Sequence, residues 1–243
     1  MRGNFIMGVE HLIVGFKLLG KPGIRAFVFI PLAINVLLFS TAIYFLSHYF
    51  DGWMDQLLGW LPEWLSFIES ILWLLFAILV LVVVAFTFTL LANFIAAPFN
   101  GFLAEAVERY LTGQVAASPQ RSLMAEVGRS LGREVVKLRY YLPRLLGLVI
   151  LGFIPVLNSV SPLLWALFSI WMMAMQYLDY PMDNNDVNFP QMRQRLAERR
   201  LTTLGYGGTV LLATMVPLLN LIVMPSAVAG ATALWLKDYQ KSG

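Results

Sequence analysis

Long uncharged runs alternate with short charged segments along this chain. Four runs lack Asp, Glu, Lys and Arg altogether: 26–50, 70–103, 145–178 and 201–236. An α-helix rises about 1.5 Å per residue, so roughly 20 apolar residues cross the hydrocarbon core of a bilayer. The run 26–50 fits one span, with Pro31 near its start, where a proline is tolerated. The second run predicts an unbroken span over 71–97, apolar on every side as lipid contact requires. No strong breaker follows until Gly113, so this helix is expected to run on into a polar helical region, 98–144.

The third and fourth runs are each interrupted by two prolines, Pro155 and Pro162 in one, Pro217 and Pro225 in the other. The arm 145–154 would be roughly 15 Å long as a helix, about half the hydrocarbon thickness. The arm 225–236 would be roughly 18 Å. Short, proline-broken apolar arms predict re-entrant helical hairpins at 145–178 and 201–236, which enter the bilayer and return to the same side. Two thin, tilted spans per run are the alternative. The two runs also resemble each other. Pro155 leads to Asn158 as Pro217 leads to Asn220, and Trp171 and Trp235 stand near their ends. Such a weak repeat is common in the interrupted segments of transporters, although the bilayer alone could impose the same solution twice. Asn158 and Asn220, polar within apolar runs, are candidates for lining a pathway.

The charges between the runs predict orientation. Residues 1–25 carry Arg2, Lys17, Lys21 and Arg25 against Glu10, whereas 49–70 carries Asp51, Asp55, Glu63 and Glu69 with no cation. Residues 99–144 are again net basic, and 179–200 holds Arg193, Arg195, Arg199 and Arg200. The N-terminus, 98–144 and the segment 179–200 are therefore expected on the cytoplasmic side, with the acidic loop outside. The N-terminal segment reads as a basic flank rather than a cleavable signal.

Composition agrees. Of 243 residues 59% are hydrophobic and 13% charged, with a mean hydropathy of +0.72. That excludes an ordinary soluble enzyme, and the excess of Lys and Arg over acids is too small to suggest a nucleic-acid partner. The expected class is an all-α integral membrane protein of two long transmembrane helices and two hemi-penetrating hairpins. With no cysteine there is no disulfide framework or thiolate metal site. No hydrolase, zinc-protease or P-loop motif occurs, so no enzyme, metal or cofactor is expected. His11 and His48 fall on opposite sides of the predicted membrane. Asp179, Asp183 and Asp186, interleaved with Pro181 and asparagines, read as a capped turn rather than a metal run.

Three features carry candidate chemistry. Glu105 and Arg109 stand one helical turn apart beyond the second span, where a charged pair could gate or line an anion route. Arg129, Arg133 and Lys137 recur every four residues on one helical face. That face suits anionic lipid, an anion vestibule or a protein partner. Finally, Pro22 and Gly23 punctuate the chain just before the first span, with Arg25 in its first turn. A helix N-terminus exposes unbonded amides at the positive end of the dipole, and arginine adds a forked set of donors suited to an oxyanion. The plainer reading is that Arg25 is a topogenic charge at the interface.

Several stretches, spread in order over nearly the whole chain, resemble a known family: KPGIRAFVFIPLAINVLL, LANFIAAPFNGFLAE, YYLPR, QYLDYPMDNNDVNFPQMR and VPLLNLIVMPSAVAGATALW. They are similar to the CysZ-type inner-membrane proteins of bacteria, which take up sulfate for cysteine synthesis. The resemblance implies two long transmembrane helices, two hemi-penetrating hairpins, a homo-oligomer and a bilayer around it. It also implies a G-x-R sulfate site at the start of the first long helix, which falls on Gly23, Ile24 and Arg25. A second basic residue often follows in the family, and Ala26 stands there instead. The expected activity is uptake of sulfate, or of a similar oxyanion such as sulfite. A non-transporting membrane assembly or regulatory protein that binds sulfate or lipid is the other reading.

Overall fold

The computed structural model describes residues 3–59, 66–114, 123–155 and 157–240. Side chains at 35, 51, 57–58, 66–69, 85–98, 123–126, 217–218 and 220–221 lie outside that description. Among the described residues there are helices and turns but no strand. Residues 1–28 together with 97–243 form one compact unit, and residues 29–96 form a second.

The chain opens with a helix, α1 (Phe5–Leu18), where the sequence suggested only a basic flank. Asn4 starts it: the backbone there is extended, and the side-chain oxygen accepts from the amides of Ile6 at 3.0 Å and Met7 at 3.3 Å. This is N-capping by a short polar side chain.

Two long helices follow, α2 (Ala26–Leu58) and α3 (Ser66–Thr112). The expected spans 26–50 and 71–97 lie inside them, and both helices run further. Within the acidic segment 49–70, expected as a loop, the described residues 49–58 and 66–70 are helical. Asp51 and Asp55 belong to α2 and Glu69 to α3, while Glu63 falls outside the described residues. Helix propagation is easy once nucleated, and the lone Gly52 costs only about 1 kcal/mol. As expected, α3 ends at Gly113. This residue takes a left-handed φ of 71° and donates its amide to the Arg109 carbonyl at 2.9 Å. In the second unit the Phe50 ring meets Trp73 edge-on at 5.5 Å and Phe76 at 5.8 Å.

In the first unit come α4 (Leu123–Gly152), α5 (Ser161–Asn184), α6 (Phe189–Glu198), α7 (Arg200–Thr214) and α8 (Pro217–Leu234), with a π-helical segment at Trp235–Tyr239. α4 crosses position 145 without interruption. A turn and a short 3₁₀ segment, Leu157–Val160, connect α4 to α5. Both α1 and α5 pack on α7 and α8, while α4 lies along α5. The core includes Met175, Leu178, Met182, Met192, Leu196, Tyr206 and Leu234.

Each proline-broken run therefore forms a helix–turn–helix. In the second pair the break falls at Met215 and Val216, and Pro225 lies inside α8. The arm expected to begin at Pro225 is instead an 18-residue helix from Pro217. Val216 is extended, with ψ 109°, because a residue preceding proline is pushed out of the helical region. Both tips present apolar side chains outward: Phe153 is 83% exposed and Met215 66%, with Leu157, Val160, Leu212 and Val216 beside them. Among the described residues Ala26–Phe50 and Leu157–Asn184 are long and apolar enough to cross a membrane, and Ser70–Val84 is a shorter apolar helix.

Candidate functional site

The segment between α1 and α2 is a tight turn. Lys21 donates its amide to the Leu18 carbonyl at 3.0 Å, and its own carbonyl accepts from the amides of Ile24 at 3.1 Å and Arg25 at 3.3 Å. Gly23 sits at φ +84°, and a Cβ built on it would meet nothing within 4 Å. Backbone conformation, rather than space, therefore calls for glycine here. Ile24 is fully buried and pins the turn to the core, while Arg25 is exposed. Among the described residues Arg25 has no carboxylate partner. The Ile24 and Arg25 amides are thus already engaged. Among the described residues, the Gly23 and Ala26 amides make no backbone hydrogen bond.

Glu105 and Arg109 form a surface ion pair at 2.7 Å on α3. The opposite face of that helix buries Leu103, Ala104, Val107 and Glu108. Glu108 accepts from the Asn185 side-chain amide at 2.9 and 3.3 Å. Burial raises the pKa of Glu108, the Asn185 hydrogen bond opposes that shift, and Glu105 adds to it. Asn158 is exposed on the 3₁₀ segment, and Asn220 lies in the first turn of α8 with its side chain outside the described residues. No hydrogen bond or ion pair among the described residues joins the Gly23–Arg25 turn to Glu105, Arg109 or Asn158.

The basic face of α4 is not a free surface. Arg129, Arg133 and Lys137 meet Asp179 and Asp183, which are also spaced four residues apart, on α5. Arg129 reaches Asp183 at 2.9 Å, Arg133 reaches Asp179 at 2.6 Å, and Lys137 reaches Asp179 at 3.2 Å and Glu134 at 2.5 Å. Arg133 also donates to the Val187 carbonyl at 3.1 Å. Burial pulls the Lys137 pKa down, but Asp179, Tyr180 and Glu134 outweigh it and the net shift is upward. The face expected to contact lipid, a vestibule or a partner is thus spent on an internal charge ladder. Asp179 and Asp183, expected in a turn, are helical, and α5 carries Pro181 inside it. The turn comes later, at Asp186 with φ 55°, and Asn188 then caps α6 by accepting from the Gln191 amide at 2.9 Å. No group of His, Asp or Glu suited to a metal occurs among the described residues.

Two sequence motifs meet here. Asn100 of APFNG donates to the Tyr180 hydroxyl at 3.2 Å, and Asn184 donates to the Gly101 carbonyl at 2.8 Å. Sequence reasoning did not foresee this junction or the α4–α5 ladder. The available signal was the matched four-residue spacing of Arg129, Arg133 and Lys137 with Asp179 and Asp183. It also missed α1, which Asn4 and the Gly8 and Gly15 spacing could have flagged.

The class defined by these features is an all-helical membrane protein with long apolar helices and, between α4 and α5, an internally paired ladder of charges. A particular family follows from comparison. The family described as "Sulfate transporter CysZ/Etoposide-induced protein 2.4" matches residues 11–225. The chain is 49% identical over 240 residues to the "Sulfate transporter CysZ" of Pseudomonas fluorescens, covering 98% of this chain and 96% of that protein. It is 47% identical to the protein of that name from Pseudomonas aeruginosa, over 96% of each. The one from Pectobacterium atrosepticum is 45% identical over 96% of this chain and 86% of its own. The chain belongs to this CysZ/EI24 family.

Proposed function

We propose that this protein moves sulfate across the bacterial inner membrane as a multi-pass homo-oligomer and so feeds cysteine biosynthesis. Identity of 45–49% over nearly the whole chain to proteins named sulfate transporters carries the reading. In this reading α2 and α3 span the bilayer, and the α4–α5 and α7–α8 hairpins enter it from the cytoplasmic side. Two spanning helices per chain are too few to enclose a polar route in lipid, which is the argument for several subunits.

Sulfate docks at the turn before α2. It is a doubly charged tetrahedron of acceptor oxygens, so it calls for converging donors. Among the described residues the exposed Arg25 guanidinium has no competing carboxylate, and the Gly23 and Ala26 amides make no backbone hydrogen bond. Ile24 holds the turn in place. Glu105, Arg109, Asn158 and Asn220 are assigned to the route beyond.

The test is sulfate binding by calorimetry and sulfate flux in proteoliposomes, both with purified protein. A charge-assisted hydrogen bond is worth about 1.5–3 kcal/mol, so Arg25→Ala should weaken binding roughly 10- to 150-fold and lower flux with it. Arg25→Lys keeps the charge, loses the fork and should fall between. Unchanged affinity in folded Arg25→Ala would move the site elsewhere. Binding without flux in the wild type would make the protein a sulfate-binding membrane component rather than a transporter.

A further inference from the structure

We propose that Tyr140, Arg144 and Arg193 form a headgroup site for an anionic phospholipid, with the two guanidinium groups as donors to the lipid phosphate. Arg144 stacks on the Tyr140 ring at 3.6 Å, and Arg193 of α6 approaches the same ring at 4.5 Å. Sharing one aromatic ring keeps the two cations within about a Debye length, ~8 Å at physiological salt, so their repulsion is not screened away. The ring quadrupole attracts each cation but does not neutralise either.

Elsewhere on α4 the protein solves this problem with carboxylates. Arg129, Arg133 and Lys137 all have aspartate or glutamate partners. Among the described residues Arg144 and Arg193 have none, and Arg139 of the same helix has none either. Arg144 spends one donor on the Tyr140 carbonyl at 2.7 Å and makes no other hydrogen bond among the described residues. The position therefore concentrates positive charge without a protein carboxylate among the described residues, and the two planar guanidiniums suit the oxygens of a phosphodiester.

The place in the chain selects a lipid as its source. Arg144 is the last charged residue before Asp179, and α4 continues beyond it as an uncharged helix to Gly152. Leu146, Val149 and Ile150 are exposed along that continuation, and Phe153 just beyond it. If the hairpin enters the bilayer as proposed above, Arg144 and Tyr140 stand at the level of the headgroups, where tyrosine and arginine are favoured. The inference rests on that reading of the hairpin, but not on sulfate being the cargo.

The experiment uses the full-length protein, stripped of lipid in detergent and titrated with phosphatidylglycerol or phosphatidylcholine, with bound lipid counted by native mass spectrometry. Wild type should retain phosphatidylglycerol in preference to phosphatidylcholine. Each interfacial cation contributes about tenfold or less to anionic-lipid binding, so Arg144→Gln/Arg193→Gln should lower phosphatidylglycerol retention roughly tenfold or more and leave phosphatidylcholine unchanged. Its sulfate affinity should stay at the wild-type value, and Arg25→Ala should leave lipid retention unaltered. If the double variant does not fold, Arg193→Gln alone is read in the same way. Equal retention of the two lipids by wild type, or undiminished phosphatidylglycerol retention in the folded variant, would overturn the site. Displacement of the lipid by millimolar inorganic phosphate would reassign it to free oxyanions and would also overturn it.

Discussion

Asp179 is 1% exposed, and its two carboxylate oxygens are divided between Arg133 and Lys137. Lys137 is itself 1% exposed, so removing the aspartate charge leaves a buried ammonium with Glu134 alone. Breaking a buried pair from one side costs about 3–5 kcal/mol, whereas replacing both partners with apolar groups is often neutral. Asp179→Asn should therefore lower thermal stability in detergent sharply, and Lys137→Met/Asp179→Leu should recover only the part of the loss due to Lys137, because Arg133 still loses its Asp179 contact. A mild effect of Asp179→Asn would mean the ladder is slack. Glu108 yields a pH prediction. Its pKa is raised from 4.5 in the folded protein by burial, so the folded state holds the proton more tightly than the unfolded chain does. The stability it contributes is complete below about pH 4.5 and is lost as pH rises through the higher folded value. Glu108→Gln should remove that fall, giving a flatter melting temperature against pH just above 4.5 than wild type; parallel curves would refute the assignment. Neither effect was legible in the sequence, where all that shows is a basic period on one helix and acids near a proline.

At the scale of elements, the prolines were legible as interruptions but not as boundaries. Pro162 lies in the first turn of α5 and Pro217 opens α8, positions where a missing amide costs nothing. Pro143, Pro181 and Pro225 sit inside helices. For α8 the reason is packing. Beyond Pro225 the helix buries Ala227, Val228, Ala229 and Ala231, and that burial outweighs the local penalty. The exposed tips lead to a labelling prediction. Single cysteines at Asn158 and Met215 should resist a membrane-impermeant maleimide, while cysteines at Gln191 and Lys237, exposed and remote in sequence from both tips, should label from one common side. Free labelling of both tips, or labelling of Gln191 and Lys237 from opposite sides, would rule out shallow hairpins.

At the scale of the molecule, the helices of the first unit come together through glycine. Gly8 of α1 lies against Thr202 and Gly205 of α7, and Gly15 lies against Ser226 and Gly230 of α8. A Cβ at either glycine would collide with the opposing backbone. Small residues permit such approach in apolar surroundings, where association relies on close contact and not on expulsion of water. α1 is thereby part of the core, with His11 and Leu12 buried between the glycines. The sequence by itself determined the helical class, the membrane-scale apolar runs, the continuation of α3 to Gly113 and the family. Each of these depends on composition or on periods within one element, which a linear chain displays. It also marked Gly23 and Arg25, because a glycine-proline turn before an apolar helix is a local signal. The tertiary structure alone decided which cations are spent internally, which stay exposed, and that the basic N-terminus is a core helix. Arg133 and Asp179 are 46 residues apart in the chain and 2.6 Å apart in the fold. Charge pairing and burial are properties of such distant encounters, and no local period records them.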